Sequence, residues 1–188
     1  MVLVLYIIPG FGEYKHEQAY VRLRALCEKQ GFVVCVADIT WKYRVMSQYV
    51  DEFLSQVKPS DELYVLGFSY GAMVAVLSAP THAPRALILC SLSPCFQEDL
   101  HKFKNSWKAM TGVRRMKDFE QYSFTTLAQQ VSCKTVIVSG MQELDVLKER
   151  ARASHEVLYD SELIWVDAPH DISHPEYQRG VEDIVRSL

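Results

Sequence analysis

Short apolar runs alternate with amphipathic segments from one end of the chain to the other. Six runs read as strands: residues 2–8, 32–37, 63–66, 86–91, 135–139 and 163–166. They are continuous and rich in Val, Ile and Leu, the pattern of strands covered on both faces. Helical spacing fills the gaps between them. The segment 17–30 stops at Gly31, a good carboxyl-terminal stop. In 45–57, Val45, Tyr49, Phe53 and Val57 share one face, and Pro59 follows. The segment 72–79 ends before Pro80, 143–158 is charged and amphipathic, and 175–188 opens with a proline suited to a first helical turn. This alternation predicts a six-stranded, mainly parallel sheet with helices on both faces, a three-layer α/β/α sandwich.

The alternation breaks once, over residues 93–132. The stretch 98–110 looks helical, Thr111-Gly112 reads as a break, and 113–131 holds further helical turns. A connection this long carries its own structure and often a lid or binding role. Six cations (Lys102, Lys104, Lys108, Arg114, Arg115 and Lys117) face Glu98, Asp99, Asp118 and Glu120 there. A net of +2 favours a solvated helical face over an anion site.

The 188 residues suit one domain, 1–188, with the 93–132 stretch as a helical, lid-like insertion. A net charge of −3 without a charged tail gives no reason to expect nucleic acid or an anionic membrane surface as partner. The apolar start, Met1 to Ile8, lacks a basic leader and a cleavage site and runs into Pro9-Gly10. No apolar stretch approaches the ~20 residues needed to span a bilayer. Five scattered cysteines form no metal or redox motif and read as reduced thiols. The expected setting is cytoplasmic.

Gly67-Phe68-Ser69-Tyr70-Gly71 reads G-x-S-x-G between an apolar run and a helical segment, the context of a nucleophile elbow. A serine hydroxyl needs a histidine to take its proton and a carboxylate to orient that histidine. In an open parallel sheet such partners meet at the carboxyl ends of strands. After the fifth strand come Gly140 to Asp145, and after the sixth Asp167-Ala168-Pro169-His170-Asp171. The order Ser69, Asp145, His170 is the one that follows a G-x-S-x-G elbow. Glu143 competes with Asp145 on the same loop, and Asp145 is the preferred acid. His170 is preferred to His174, which flanks the last helix. His16 lies at a helix entry, and His82, His101 and His155 lie in surface segments. Asp171 adjoins His170 and points elsewhere, and Asp38 is a loop residue.

These residues resemble the α/β-hydrolase family along nearly the whole chain. The elbow, the 140–145 loop and His170-Asp171-Ile172 before a final helix carry the likeness. Ile8-Pro9-Gly10-Phe11-Gly12 adds to it, resembling the family's oxyanion loop. The resemblance implies oxyanion-hole donors at the Phe11 and Tyr70 amides and a sheet order of 2-1-3-4-5-6. It also implies a minimal form of the fold, without the family's first two strands or a large cap. Pro9 and Pro169 stand where many relatives have His and Gly.

The expected activity is that of a serine hydrolase cleaving a small ester, thioester or amide through Ser69, His170 and Asp145, carboxylesterase-like by family analogy. Such a mechanism calls for no metal and no organic cofactor. An acyltransferase using the same triad and a non-catalytic binding protein on the same fold are the other readings. Phe11, Trp41, Tyr43, Tyr70 and Trp107 are candidates to line an apolar pocket.

Overall fold

The computed structural model describes residues 2–60 and 62–188; Met1, the first residue of the apolar amino-terminal run, and Asp61 lie outside the described residues. The strands are β1 (Val4–Ile8), β2 (Val33–Val36), β3 (Leu63–Phe68), β4 (Ala86–Cys90), β5 (Lys134–Gly140) and β6 (Ser161–Val166). Every adjacent pair is parallel, in the order β2-β1-β3-β4-β5-β6. This is the predicted sheet and order.

The helices are α1 (Gln18–Lys29), α2 (Met46–Leu54), α3 (Tyr70–His82), α4 (Asn105–Thr111), α5 (Val113–Phe119), α6 (Phe124–Ala128), α7 (Asp145–Val157) and α8 (Pro175–Ser187). One face of the sheet packs on α1 and α8 through Tyr20, Leu23, Tyr177, Val181 and Ile184. The other packs on α2, α3 and α7, with part of the insertion, through Tyr49, Phe53, Met73, Val76, Phe124 and Ala151. Successive residues of β1 serve opposite layers: Leu5 and Ile7 go to the first, Tyr6 and Ile8 to the second. Continuous apolar runs follow from that alternation between two dry layers.

Three helices differ from the sequence reading in their bounds. Helix α3 begins at Tyr70 and continues through Pro80 to His82. The proline sits in the last turn, where it removes one helical hydrogen bond to the carbonyl four residues earlier, and burial of Gly71–Val76 holds the helix against that loss. Ala83 then ends it in the left-handed region at φ 42°. Helix α2 is shorter than expected, and α7 starts at Asp145 rather than at Glu143. The insertion folds as a 3-10 turn (Leu100–Lys102) and the short helices α4, α5 and α6.

The insertion is pinned by a buried ion pair. Asp99 accepts from Arg150 Nη1 of α7 at 3.0 Å, and both side chains are almost wholly buried. The guanidinium also lies over the Phe124 ring at 4.6 Å, on α6. Burial raises the Asp99 carboxyl above its ordinary value, against the pull of Arg150 and Lys102. No helix among the described residues is long and apolar enough to cross a membrane.

His82 is not the solvated surface residue expected from sequence. Its Nε2 pairs with Ser78 Oγ at 3.0 Å, and its ring meets Phe53 edge-on. Burial lowers its pKa to about 4. Such a group binds its proton more readily unfolded than folded, so its contribution to stability is complete above about pH 6.5 and is lost as pH falls toward 4. Urea melts between pH 7 and 4 should show a flatter acid limb for His82→Gln than for wild type. Asp99→Ala leaves the Arg150 charge buried and unpaired and should lower stability by about 3–5 kcal/mol, read from the same melts.

Candidate active site

Strand β3 ends at Phe68 and α3 starts at Tyr70, so one residue makes the whole turn. That residue, Ser69, has φ 56° and ψ −115°, a conformation that costs a non-glycine residue about 1–3 kcal/mol. Two glycines make the turn passable. A Cβ on Gly67 would lie 2.2 Å from the Gly71 carbonyl oxygen, and one on Gly71 would lie 2.2 Å from that of Ile8. Helix and sheet backbones therefore touch on either side of the serine. The Ser69 N–H donates to the Cys90 carbonyl at 2.9 Å, tying the turn to β4.

His170 follows β6 at the same sheet edge. Its Nε2 lies 3.1 Å from Ser69 Oγ, and its ring rests against Phe68. The Nδ1 nitrogen faces Glu143 Oε1 at 3.5 Å, longer than a good hydrogen bond. Glu143 has a fully buried side chain held by two serine hydroxyls. Ser91 Oγ donates to its Oε1 in a short hydrogen bond, Ser139 Oγ donates to its Oε2 at 3.1 Å, and Tyr177 OH lies 2.6 Å from Ser91 Oγ. Tyr177 donates in turn to the Val138 carbonyl at 2.9 Å. Ser91 reaches the carboxylate from a left-handed backbone, φ 51°, just past β4.

Asp145, the acid preferred from sequence, makes no hydrogen bond or ion pair to His170 among the described residues. Its side chain is 90% exposed and pairs with Lys148 at 3.0 Å. The physical reason is the start of α7. Leu144 is extended and Asp145 is the first helical residue, where an acid suits the helix dipole and the side chain faces water. Glu143 lies in the turn before the helix, its N–H donating to the Gly140 carbonyl at 3.2 Å, and points back beneath the strand ends. Asp171 and Asp38 are elsewhere too: the first accepts from Ser173, the second pairs with Lys15. His174 is the N-cap residue of α8, and His16 stacks on Tyr14.

The loop after β1 runs beside the elbow. The Phe11 and Tyr70 rings are 5.1 Å apart, and among the described residues neither backbone amide has an acceptor. The loop is held from behind. The Gly10 N–H donates to Glu13 Oε2 and to Tyr20 OH, each at 2.9 Å, and Trp41 Nε1 donates to the Glu13 carbonyl at 2.9 Å. Tyr20 closes a short hydrogen bond to Glu13, and burial raises its pKa far above the usual phenol value.

Ser93 comes after β4, and its Oγ lies 3.2 Å from Ser69 Oγ. It borders an apolar cavity of about 410 Å³ lined by Tyr70, Cys95, Phe103, Trp107, Leu147 and His170 among others. A second concavity, about 710 Å³, opens on the other side of Phe11 and includes Trp41 and Tyr43. The five aromatic candidates thus divide between two hollows. Sequence reasoning did not find Ser91, Ser93, Ser139 or Tyr177. Ser91, Ser93 and Tyr177 lie far along the chain from the residues they meet, Ser139 sits inside a strand four residues before Glu143, and no motif marks any of them.

No protein-family model matches the chain, and no curated protein sequence matches it. Solved structures do. The chain is similar to Est1E from Butyrivibrio proteoclasticus, with a TM-score of 0.83 at 16% identity, covering 99% of this chain and 86% of that one. It is similar to alpha/beta hydrolase domain-containing protein 10 from mouse, with a TM-score of 0.75 at 13% identity over 98% and 88% of the two chains. A thioesterase domain from the curacin biosynthetic pathway gives 0.67 at 15% identity over 98% and 91%. The protein has the α/β-hydrolase fold. At these identities the likeness is one of fold, and the chemistry rests on this chain's own residues.

Because the elbow depends on backbone contact, Gly71→Ala should lower stability by about 1–3 kcal/mol or more, measured by urea melts.

Proposed function

We propose that the protein is a serine hydrolase acting on small acyl substrates, with Ser69 as nucleophile, His170 as general base and Glu143 as the acid that orients it. The observation that carries this reading is Ser69 Oγ, on a strained elbow, 3.1 Å from His170 Nε2, with a buried carboxylate at the other ring nitrogen. Ser69 gives its proton to Nε2 as Oγ attacks the carbonyl carbon of an ester or thioester. The Phe11 and Tyr70 amides, free of other partners, receive the oxyanion. His170, now charged, faces Glu143 and gives its proton to the leaving group. Water then repeats the sequence on the acyl-enzyme and frees the acid.

Glu143 suits its part better than Asp145 for a physical reason. A carboxylate held by two serine hydroxyls and screened from water keeps its charge fixed opposite Nδ1, whereas one at 90% exposure exerts little directional pull. The His170 side chain is 36% exposed, so water can reach the site, which favours hydrolysis over transfer to another acceptor.

A fluorophosphonate probe should label wild type and fail to label Ser69→Ala. A folded wild type that stays unlabelled overturns the serine reading. Ester turnover should fall by about 10³–10⁴-fold in Glu143→Gln and stay within about twofold in Asp145→Asn. The reverse order would restore Asp145 as the acid.

A further inference from the structure

The two hollows, one lined by Tyr70 and His170 and the other by Phe11, differ in character. The cavity on the Tyr70 side is apolar. The one on the Phe11 side is lined by Lys42, Arg44, Arg114 and Arg115, and its lining includes no carboxylate, in a chain whose net charge is −3. Thr111, at the end of α4, borders both.

These cations come from two segments distant in sequence, and the arginines among them are held in place. Arg115 donates through Nε to the Arg44 carbonyl at 3.1 Å and through Nη2 to the Trp41 carbonyl at 3.2 Å, and it lies over the Phe11 ring at 4.8 Å. Arg114 donates to the Tyr43 carbonyl at 3.0 Å and to Gln48 Oε1 at 3.1 Å. Carbonyl oxygens fix a guanidinium but carry no net charge to cancel it. Among the described residues, Arg44 alone of the four cations has a carboxylate partner, Glu52 at 3.2 Å. Asp118, the other acid packed on this face, accepts from the Ser47 N–H and hydroxyl. Lys42 is exposed and has no partner among the described residues. The spacing of charges along the insertion suggested a solvated face. The fold brings two of those arginines to Lys42 and Arg44 around a hollow that also includes Phe11.

We infer that this hollow receives an anionic group, a carboxylate or phosphate, on one arm of the substrate, while the apolar arm lies in the cavity beside Tyr70 and His170. The inference rests on the hydrolase reading for the position of the reacting carbonyl. A concave surface of one charge sign concentrates oppositely charged ligands and orients them. Phe11 joins the two sides, since Arg115 lies over its ring and that ring packs on Tyr70 of the elbow.

Two matched pairs of esters test this. On the acyl arm, 4-nitrophenyl hexanoate is compared with the mono-4-nitrophenyl ester of adipic acid. On the alcohol arm, glycerol 1-hexanoate is compared with 1-hexanoylglycerol 3-phosphate. In at least one pair the anionic member should have the higher kcat/KM, by about tenfold at low salt. The preference should shrink in 0.5 M NaCl and fall about threefold in each of Lys42→Gln and Arg114→Gln. Lys134→Gln, at the far end of β5, should leave the ratio unchanged. Calorimetric Kd values of the same esters on Ser69→Ala, which binds without turnover, should follow the same order. Neutral members preferred or equal in both pairs overturn the inference, as does a preference that survives the Lys42→Gln/Arg114→Gln double variant. If wild type cleaves none of the four esters, the hydrolase reading fails by itself, and the Kd comparison still decides whether the hollow selects anions.

Discussion

The site depends on the contact between the first turn of α3 and the backbone of β1 and β3. Gly71 meets the Ile8 carbonyl and Gly67 meets the Gly71 carbonyl, at separations no side chain would permit. That approach leaves a single residue for the reversal from strand to helix and drives Ser69 to φ 56°. A relaxed turn would need more residues and would lower the serine toward the sheet. The strain is borne because α3 is buried along most of its length and its packing outweighs one unfavourable residue.

Parallel strands do the rest of the positioning. Their register sets Ile8 beside Gly67, Phe68 beside Cys90 and Gly140 beside Val166, so the loops that follow all emerge at one edge. Phe11, Ser69, Ser91, Ser93, Glu143 and His170 meet there although they are spread over most of the sequence. Beneath them the carboxylate of Glu143 is removed from water, which is costly for a charge without partners. The hydroxyls of Ser91 and Ser139 offset that cost, and Tyr177 from α8 fixes Ser91 in turn. The position of this one buried carboxylate therefore depends on four elements: β4, β5, the loop before α7, and α8.

The 93–132 insertion supplies what the sheet cannot, a set of walls. Its root is fixed by Asp99 and Arg150, while α4 and α5 reach over the sheet edge to border the apolar cavity and the cationic one. Arg114 and Arg115 clamp the 41–45 segment by its carbonyls, so the insertion and the loop after β2 behave as one unit around the second hollow.

Much of this was legible in the chain because it depends on local pattern. Six apolar runs, their separation by amphipathic segments, and the glycines around Ser69 set the strands, the layers and the elbow, since burial on two faces and a one-residue turn leave direct marks on composition. His170 could be read from its place after the last strand. The choice between Glu143 and Asp145 could not, because two acids two residues apart satisfy the same spacing. Where α7 begins separates their surroundings: Asp145 in its first turn faces water, and Glu143, two residues earlier, turns inward. Nor could the sequence reveal the serines around Glu143 or the meeting of Lys42 and Arg44 with Arg114 and Arg115. A pattern along one chain records what each segment needs from its neighbours in sequence. Which distant side chains share a buried charge or a hollow is settled only when the layers pack.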